Sequence, residues 1–118
     1  MIVDDHAAMR RVLMNVVSLT RIEPLDFIEC ESGEDAVHQY GLQHPDCVLM
    51  DVQLKEMSGF QATETIRMHD AAAKVVIVTS FDTPSVRRKA EALKVNGFVS
   101  KDSLSAVPDL LTSLIQVH

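Results

Sequence analysis

Short apolar runs alternate along this chain with stretches whose apolar positions recur at helical spacing. Met1-Ile2-Val3 is apolar and stops at Asp4. Met9, Val12, Leu13, Val16 and Val17 then share one face of about three helical turns. Leu25 to Glu31 reads as a strand, with β-favouring Phe27 and Ile28. Ser32 followed by Glu34 and Asp35 reads as a cap and an acidic first turn, opening a helix to about Gln43 that Pro45 ends. Cys47-Val48-Leu49-Met50 is apolar on both faces, as a central parallel strand should be, and ends at Asp51. After a loop to Ser58-Gly59, the positions of Phe60, Thr63 and Ile66 or Arg67 predict a helix to about His69 with a weak apolar stripe. Val75-Val76-Ile77-Val78 is a second buried strand, ending at Thr79-Ser80. Val86, Ala90 and Leu93 mark a helix, and Asn96-Gly97 punctuates it. Phe98-Val99-Ser100 is a short strand ending at Lys101. Leu104, Val107, Leu111, Leu114 and Ile115 mark a last helix ending near His118, with Pro108 near its first turn, where a missing N–H costs little.

The pattern is strand–helix repeated five times. Parallel strands joined by helices require right-handed crossovers, so the sheet is covered on both sides. The expected fold is an α/β (βα)5 flavodoxin-like three-layer sandwich with strand order 2-1-3-4-5. That order centres the apolar runs at Cys47–Met50 and Val75–Val78 and sends the more polar Leu25–Glu31 to an edge.

The 118 residues suit one domain, 1–118, without staples. Eleven basic against 17 acidic residues give a net charge of −6, which argues against holding nucleic acid or an anionic membrane by bulk electrostatics. No apolar run approaches a membrane span, and no signal-peptide pattern opens the chain. Two cysteines, Cys30 and Cys47, make neither a disulfide framework nor a four-ligand zinc site; they read as buried thiols in a cytoplasmic protein.

In a doubly wound sheet the functional crevice lies outside the carboxyl ends of the strands, at the switch point between strands one and three. Here those ends carry Asp4-Asp5, Asp51, Thr79-Ser80 and Lys101. Three carboxylates in one crevice repel one another, and a divalent cation relieves this; all-oxygen ligands favour Mg2+, with Mn2+ or Ca2+ as alternatives. A cation beside Asp51 would let a phosphoryl group approach, and aspartate is a competent nucleophile for it. Lys101 and the Thr79 hydroxyl would face the charge developing on the transferred oxygens.

Ile2-Val3-Asp4-Asp5-His6, Met50-Asp51-Val52 with Gly59 eight positions after the aspartate, Val78-Thr79-Ser80 and Gly97-Phe98-Val99-Ser100-Lys101 together resemble the receiver domains of two-component response regulators. The resemblance covers essentially the whole chain. Asp-Asp-His and Lys-Asp look most like receivers coupled to a LuxR-type helix-turn-helix output domain. The resemblance implies that Asp51 is the phosphoacceptor, that Asp5, Asp51 and the Gln53 backbone carbonyl ligate Mg2+, and that Asp4 acts through a coordinated water. Thr79 would be the switch hydroxyl, Lys101 the phosphoryl-binding cation and Phe98 the aromatic switch residue. The implied function is a phosphorylation-dependent signalling switch regulating an output, with transcription through a separate DNA-binding domain as the expected one. A sensor histidine kinase or a phosphotransfer protein is the implied partner, and a homodimer is allowed. Catalysis would be limited to its own phosphotransfer and autodephosphorylation, so this is no metabolic enzyme. The sequence departs from the family at Lys55, where Pro is usual, and at Asp102, where many members have a prolyl residue. The family also carries more residues before its Asp pair, which is expected to loosen the first strand.

Other readings fit less well. A degenerate receiver acting as a phosphorylation-independent interaction module would not need Asp5, Asp51, Thr79 and Lys101 together. A phosphatase using an aspartyl phosphate wants a second Asp two positions after its nucleophile, and Gln53 stands there. A flavin-mononucleotide binder needs a hydroxyl- and Gly-rich loop after strand one, where this chain has Asp4-Asp5. His6 is expected in a helix first turn rather than on a metal, Phe81 in loop packing, and Arg87-Arg88-Lys89 on a solvated helix face.

Overall fold

The computed structural model describes residues 1–20, 22 and 25–115. Five parallel strands, β1 (Ile2–Val3), β2 (Glu29–Cys30), β3 (Val48–Met50), β4 (Val75–Thr79) and β5 (Gly97–Ser100), form one sheet in the order β2-β1-β3-β4-β5. Five helices connect or follow them: α1 (Ala7–Val17), α2 (Gly33–Gln43), α3 (Gly59–His69), α4 (Pro84–Ala92) and α5 (Val107–Ile115), the last preceded by a 3₁₀ turn over Leu104–Ala106. This is the expected (βα)5 flavodoxin-like fold. The expected end of the last helix near His118 lies outside the described residues.

The two-faced burial of the strands follows from where the helices go. Val75 and Ile77 of β4 join Val48 and Met50 in one apolar layer under α2, α3 and α4, with Ala36, Tyr40, Phe60, Ile66 and Ala90 from those helices. Val76 and Val78 join Ile2, Leu49 and Val99 in a second layer under α1 and α5, with Leu13, Val17, Val107 and Leu111. Successive side chains along β4 therefore alternate between two cores, which is why the run contains no polar position. The two thiols fall in different layers, Cys30 in the first and Cys47 in the second. Both are free and buried, and burial pushes them up to about 12 and about 11, respectively, so neither is a reactive thiolate.

The helix starts use the expected chemistry. Ser32 accepts from the Asp35 N–H at 3.0 Å, and Ser58 forms a capping box with Gln61. Thr83 caps α4, and Pro84 sits in its first turn. One strand is shorter than its sequence suggests. The expected Leu25–Glu31 run is regular only at Glu29–Cys30, although the Ile28 carbonyl still accepts from the Ile2 N–H at 2.8 Å. β2 is an edge strand whose only neighbour is β1, and β1 offers it the pairings Ile2–Glu29 and Val3–Cys30. Leu25–Phe27 have no ladder to join.

Candidate functional site

Each apolar strand leaves the core at its carboxyl end, and the first polar residue after it is held at the rim by the strand's own register. β1 and β3 are paired through Ile2–Leu49 and Val3–Met50, so Asp4 and Asp51 emerge side by side. The Asp51 N–H donates to the Val3 carbonyl at 3.0 Å, and the Asp4 N–H to the Cys30 carbonyl at 3.0 Å. Both acids are buried, Asp4 wholly and Asp51 to 5% exposure. β4 and β5 pair through Thr79–Ser100, and the Lys101 N–H donates to the Thr79 carbonyl, so Lys101 follows Thr79 on the same rim.

Lys101 joins the two acids. Its Nζ donates to Asp4 Oδ2 at 2.8 Å and lies 3.4 Å from Asp51 Oδ2. Burial is the largest influence on Asp51 and pushes its carboxyl upward; Lys101 pulls it down, and the neighbouring Asp4 pushes it up again, with a net upward displacement. For Lys101, burial works downward but is outweighed by Asp4 and Asp51, so the ammonium is held above its usual range. The buried group is an acid–base–acid cluster with one excess negative charge when all three are ionised.

Asp5 is placed differently. Its Oδ1 is buried and receives no hydrogen bond. His6 Nδ1 lies 2.9 Å from it and 3.4 Å from Asp4 Oδ1, contacts that become ion pairs only when the imidazole is protonated. Ligating atoms of Asp4, Asp5 and His6 lie within 4.8 Å of one another. The orphaned Asp5 oxygen beside the Asp4 carboxylate is a hard oxygen donor pair of the kind a divalent cation takes, so these residues fit Mg2+, while Asp51 lies outside that cluster among the described residues. His6 is at the N-cap of α1 with an exposed side chain, one position before the expected first turn. The Asp4 side chain takes over the capping role by accepting from the His6 N–H at 2.9 Å.

The remaining expected residues are near the crevice but are engaged elsewhere. The Thr79 side chain is fully buried, and its Oγ1 accepts from the Phe81 N–H at 3.0 Å. The Gln53 N–H faces Asp51 Oδ1 at 3.4 Å, a long and weak contact. Phe98 is half-buried and packs against the first core layer, with the Arg87 guanidinium carbon 4.6 Å above its ring. Arg87 is thus not simply part of a solvated face: it also holds Asp82 through both guanidinium Nε and Nη2.

Sequence reasoning missed two arginines. Arg10, on α1, donates from Nη1 to the Asp4 carbonyl at 2.7 Å and from Nε to Glu29 at 3.0 Å, tying the ends of β1 and β2 together. Arg87 is the other. Neither carries a sequence signal, because each is defined by partners on other elements. A groove of about 590 Å³ lies at the opposite end of the sheet, lined by Met1, Ile2, Phe27, Pro45 and Cys47 among others.

A doubly wound sheet with buried acids and one ammonium at the ends of its central strands is an α/β protein with an acidic crevice at its topological switch point. A family model described as response regulator receiver domain matches residues 1–114. The chain belongs to that family, the receiver domains of two-component systems. Chemotaxis protein CheY of Halobacterium salinarum is 30% identical over 118 residues, covering 96% of both chains. Transcriptional regulatory protein YdfI of Bacillus subtilis is 31% identical over 106 residues, covering 89% of this chain but 48% of that protein. A two-component response regulator of the LuxR family from Aurantimonas superposes with a TM-score of 0.89 at 27% identity, covering 98% of this chain and 82% of that one. Receiver domains bind Mg2+ at their acidic pocket and interact with kinases or phosphotransfer proteins. Among the described residues no helix is long and apolar enough to cross a membrane.

Proposed function

We propose that residues 1–118 form one receiver domain in which Asp51 accepts a phosphoryl group from a phosphohistidine of a sensor kinase or phosphotransfer protein. The observation that carries this reading is the partly buried Lys101 ammonium between the buried Asp4 and Asp51. An ammonium there serves no core, and desolvation makes it costly unless the charges around it are used.

In the transfer, an Asp51 carboxylate oxygen forms the new O–P bond as the P–N bond to the donor imidazole breaks, and the donor nitrogen keeps the electron pair. Mg2+, held by Asp5, Asp51 and the Gln53 carbonyl with Asp4 acting through a water, would supply charge neutralisation at the phosphoryl oxygens. Lys101 supplies a fixed positive charge on the other side, and Thr79 a hydroxyl that must first leave the Phe81 N–H. Burial disfavours the ionised nucleophile, and Lys101 restores part of it. Arg10 keeps the Asp4 backbone in place. Phe98, on β5 between the crevice and α4, is the residue proposed to change state on phosphorylation.

The output follows from the company the domain keeps. Its similarity to a LuxR-family regulator and to YdfI supports control of transcription through a separate DNA-binding domain; the likeness to CheY supports a free-standing switch equally well in chemistry. The acidic surface argues against direct nucleic-acid binding by these residues. A cytoplasmic location completes the proposal, which allows a homodimer without requiring one.

The test is mass spectrometry after incubation with acetyl phosphate and Mg2+. One phosphoryl group should appear on the wild type and none on Asp51→Asn. Persistent modification of that variant would remove Asp51 as the acceptor, and no modification of the wild type would leave the interaction-module reading.

A further inference from the structure

Two ends of the crevice are connected to each other a second time, outside it. Thr79 ends β4, and its hydroxyl takes the Phe81 N–H. The next residue, Asp82, receives both Nε and Nη2 of Arg87, the latter at 2.8 Å. The same guanidinium places its carbon over the Phe98 ring, 4.6 Å from the centroid. Phe98 stands on β5 opposite Ile77, three residues before Lys101. The chain of contacts therefore runs from the buried hydroxyl through one arginine to the strand that leads into Lys101.

A single guanidinium makes both of these contacts. An exposed ion pair alone is of little consequence, and Arg87 is about half exposed. Its planar fork, however, fixes the orientation that stacks on the ring, so loosening either contact loosens the other. A groove of about 160 Å³ flanks Phe98, lined by Arg87, Ala90, Glu91, Val95 and Gly97. There is thus open space beside the ring, on the side Arg87 covers.

We propose that Arg87 is a latch, a positioning residue that holds the Thr79–Asp82 loop and Phe98 in one joint arrangement and so opposes the alternative in which Thr79 turns toward Asp51. This rests on the receiver reading above and adds to it the element that sets its resting bias. Any event that draws Thr79 into the crevice pulls Asp82 with it, moves the guanidinium off Phe98 and changes the groove between α4 and β5.

The test uses the chain labelled with 4-fluorophenylalanine, whose four phenylalanines are Phe27, Phe60, Phe81 and Phe98. The Phe98 fluorine resonance is assigned by its loss in Phe98→Leu. In the wild type, Mg2+ with beryllofluoride should move that resonance. Arg87→Met keeps the aliphatic stem and loses the fork; its Phe98 resonance should already be displaced, without additions, toward the beryllofluoride position. Asp82→Asn should displace it in the same direction, and the double variant should go no further than Arg87→Met. Arg87→Lys keeps a cation for the ring but not the fork and should fall between. Phosphorylation by acetyl phosphate should be about threefold to tenfold faster in Arg87→Met, the range expected for losing one exposed cation–ring contact with its paired charge. If Arg87→Met proves poorly folded by its urea midpoint, Asp82→Asn supplies the same readings. A phosphorylated wild type whose Phe98 resonance and rate are unchanged by both substitutions would overturn the latch alone. A wild type that takes no phosphoryl group would overturn the receiver reading, and the latch with it.

Discussion

Gly59 is the first residue of α3, and adding one carbon to it tests how the crevice is held. A Cβ built there lies 1.9 Å from the Asp51 carbonyl oxygen, 2.8 Å from its carbonyl carbon and 3.0 Å from Val52 Cα. Ordinary contact begins near 3.4 Å, so α3 or the end of β3 must withdraw by about 1.5 Å. None of these atoms is the end of a flexible side chain. The Gly59 N–H also donates to the Val52 carbonyl at 2.9 Å, which binds the helix start to the segment it would have to leave. Gly59→Ala should therefore destabilise by about 1–3 kcal/mol, the usual cost of overpacking. Helix propensity offsets little of that, because alanine's advantage of about 1 kcal/mol applies to helix interiors. The chemistry should suffer more than the fold. Asp51 is the residue displaced, and a misplacement of about 1 Å can cost about 100-fold in rate. Urea denaturation reads the first effect and the initial rate of phosphorylation by acetyl phosphate the second. Alanine at position 59 with a wild-type midpoint and a wild-type rate would refute the close approach and its role in aiming Asp51.

Gly41 is the contrasting site, inside α2 with nothing within 4 Å of an added Cβ, so Gly41→Ala should raise the urea-derived stability by about 0.5–1 kcal/mol. Ile66 is 1% exposed in the layer under α3, and Ile66→Ala should cost about 2–5 kcal/mol by the same measurement. Asp51 sets a pH dependence. Its carboxyl is raised above the usual 3.8, chiefly by burial, so the folded state binds the proton more tightly than the unfolded chain. Stability is then full below about pH 4 and falls as pH rises through the raised value. Urea midpoints without divalent cations should show Asp51→Asn gaining on the wild type over that window, and a difference that ignores pH would contradict the burial of an ionisable Asp51. On the proposed reading Mg2+ would bind the folded crevice alone, so it should raise the wild-type melting temperature, and more so above that window than below it.

How much of this was legible depends on how many elements define each feature. The run Val75–Val78 announced itself because two cores flank it, and no register could expose a residue. Asp4 and Asp51 were legible for the same reason, since each is the first polar residue after an apolar run. Leu25–Glu31 misled because β-favouring residues at an edge need a neighbour, and β1 supplies only two paired positions there. Arg10 and Arg87 were invisible because a charged residue on a helix looks the same whether it meets water or, as Arg87 does, a ring on β5 and an acid in the preceding loop.

The rim position also explains why this crevice is poised rather than settled. An acid that ends a buried strand is taken out of water by construction, so its charge depends on the neighbours that compensate it. Here one ammonium serves two acids, closer to Asp4 at 2.8 Å than to Asp51 at 3.4 Å. Asp4 has further claims on it, as cap for the His6 N–H and, through its backbone, partner of Arg10. Asp51 has fewer, and burial displaces its carboxyl upward. On the proposed reading Asp4 takes the fixed role and Asp51 the reactive one. A negative group added to Asp51 would draw Lys101 toward it, while a divalent charge beside Asp4 and Asp5 would compensate Asp4 for the loss. The two events favour each other through a single shared cation, and neither requires the sheet to move.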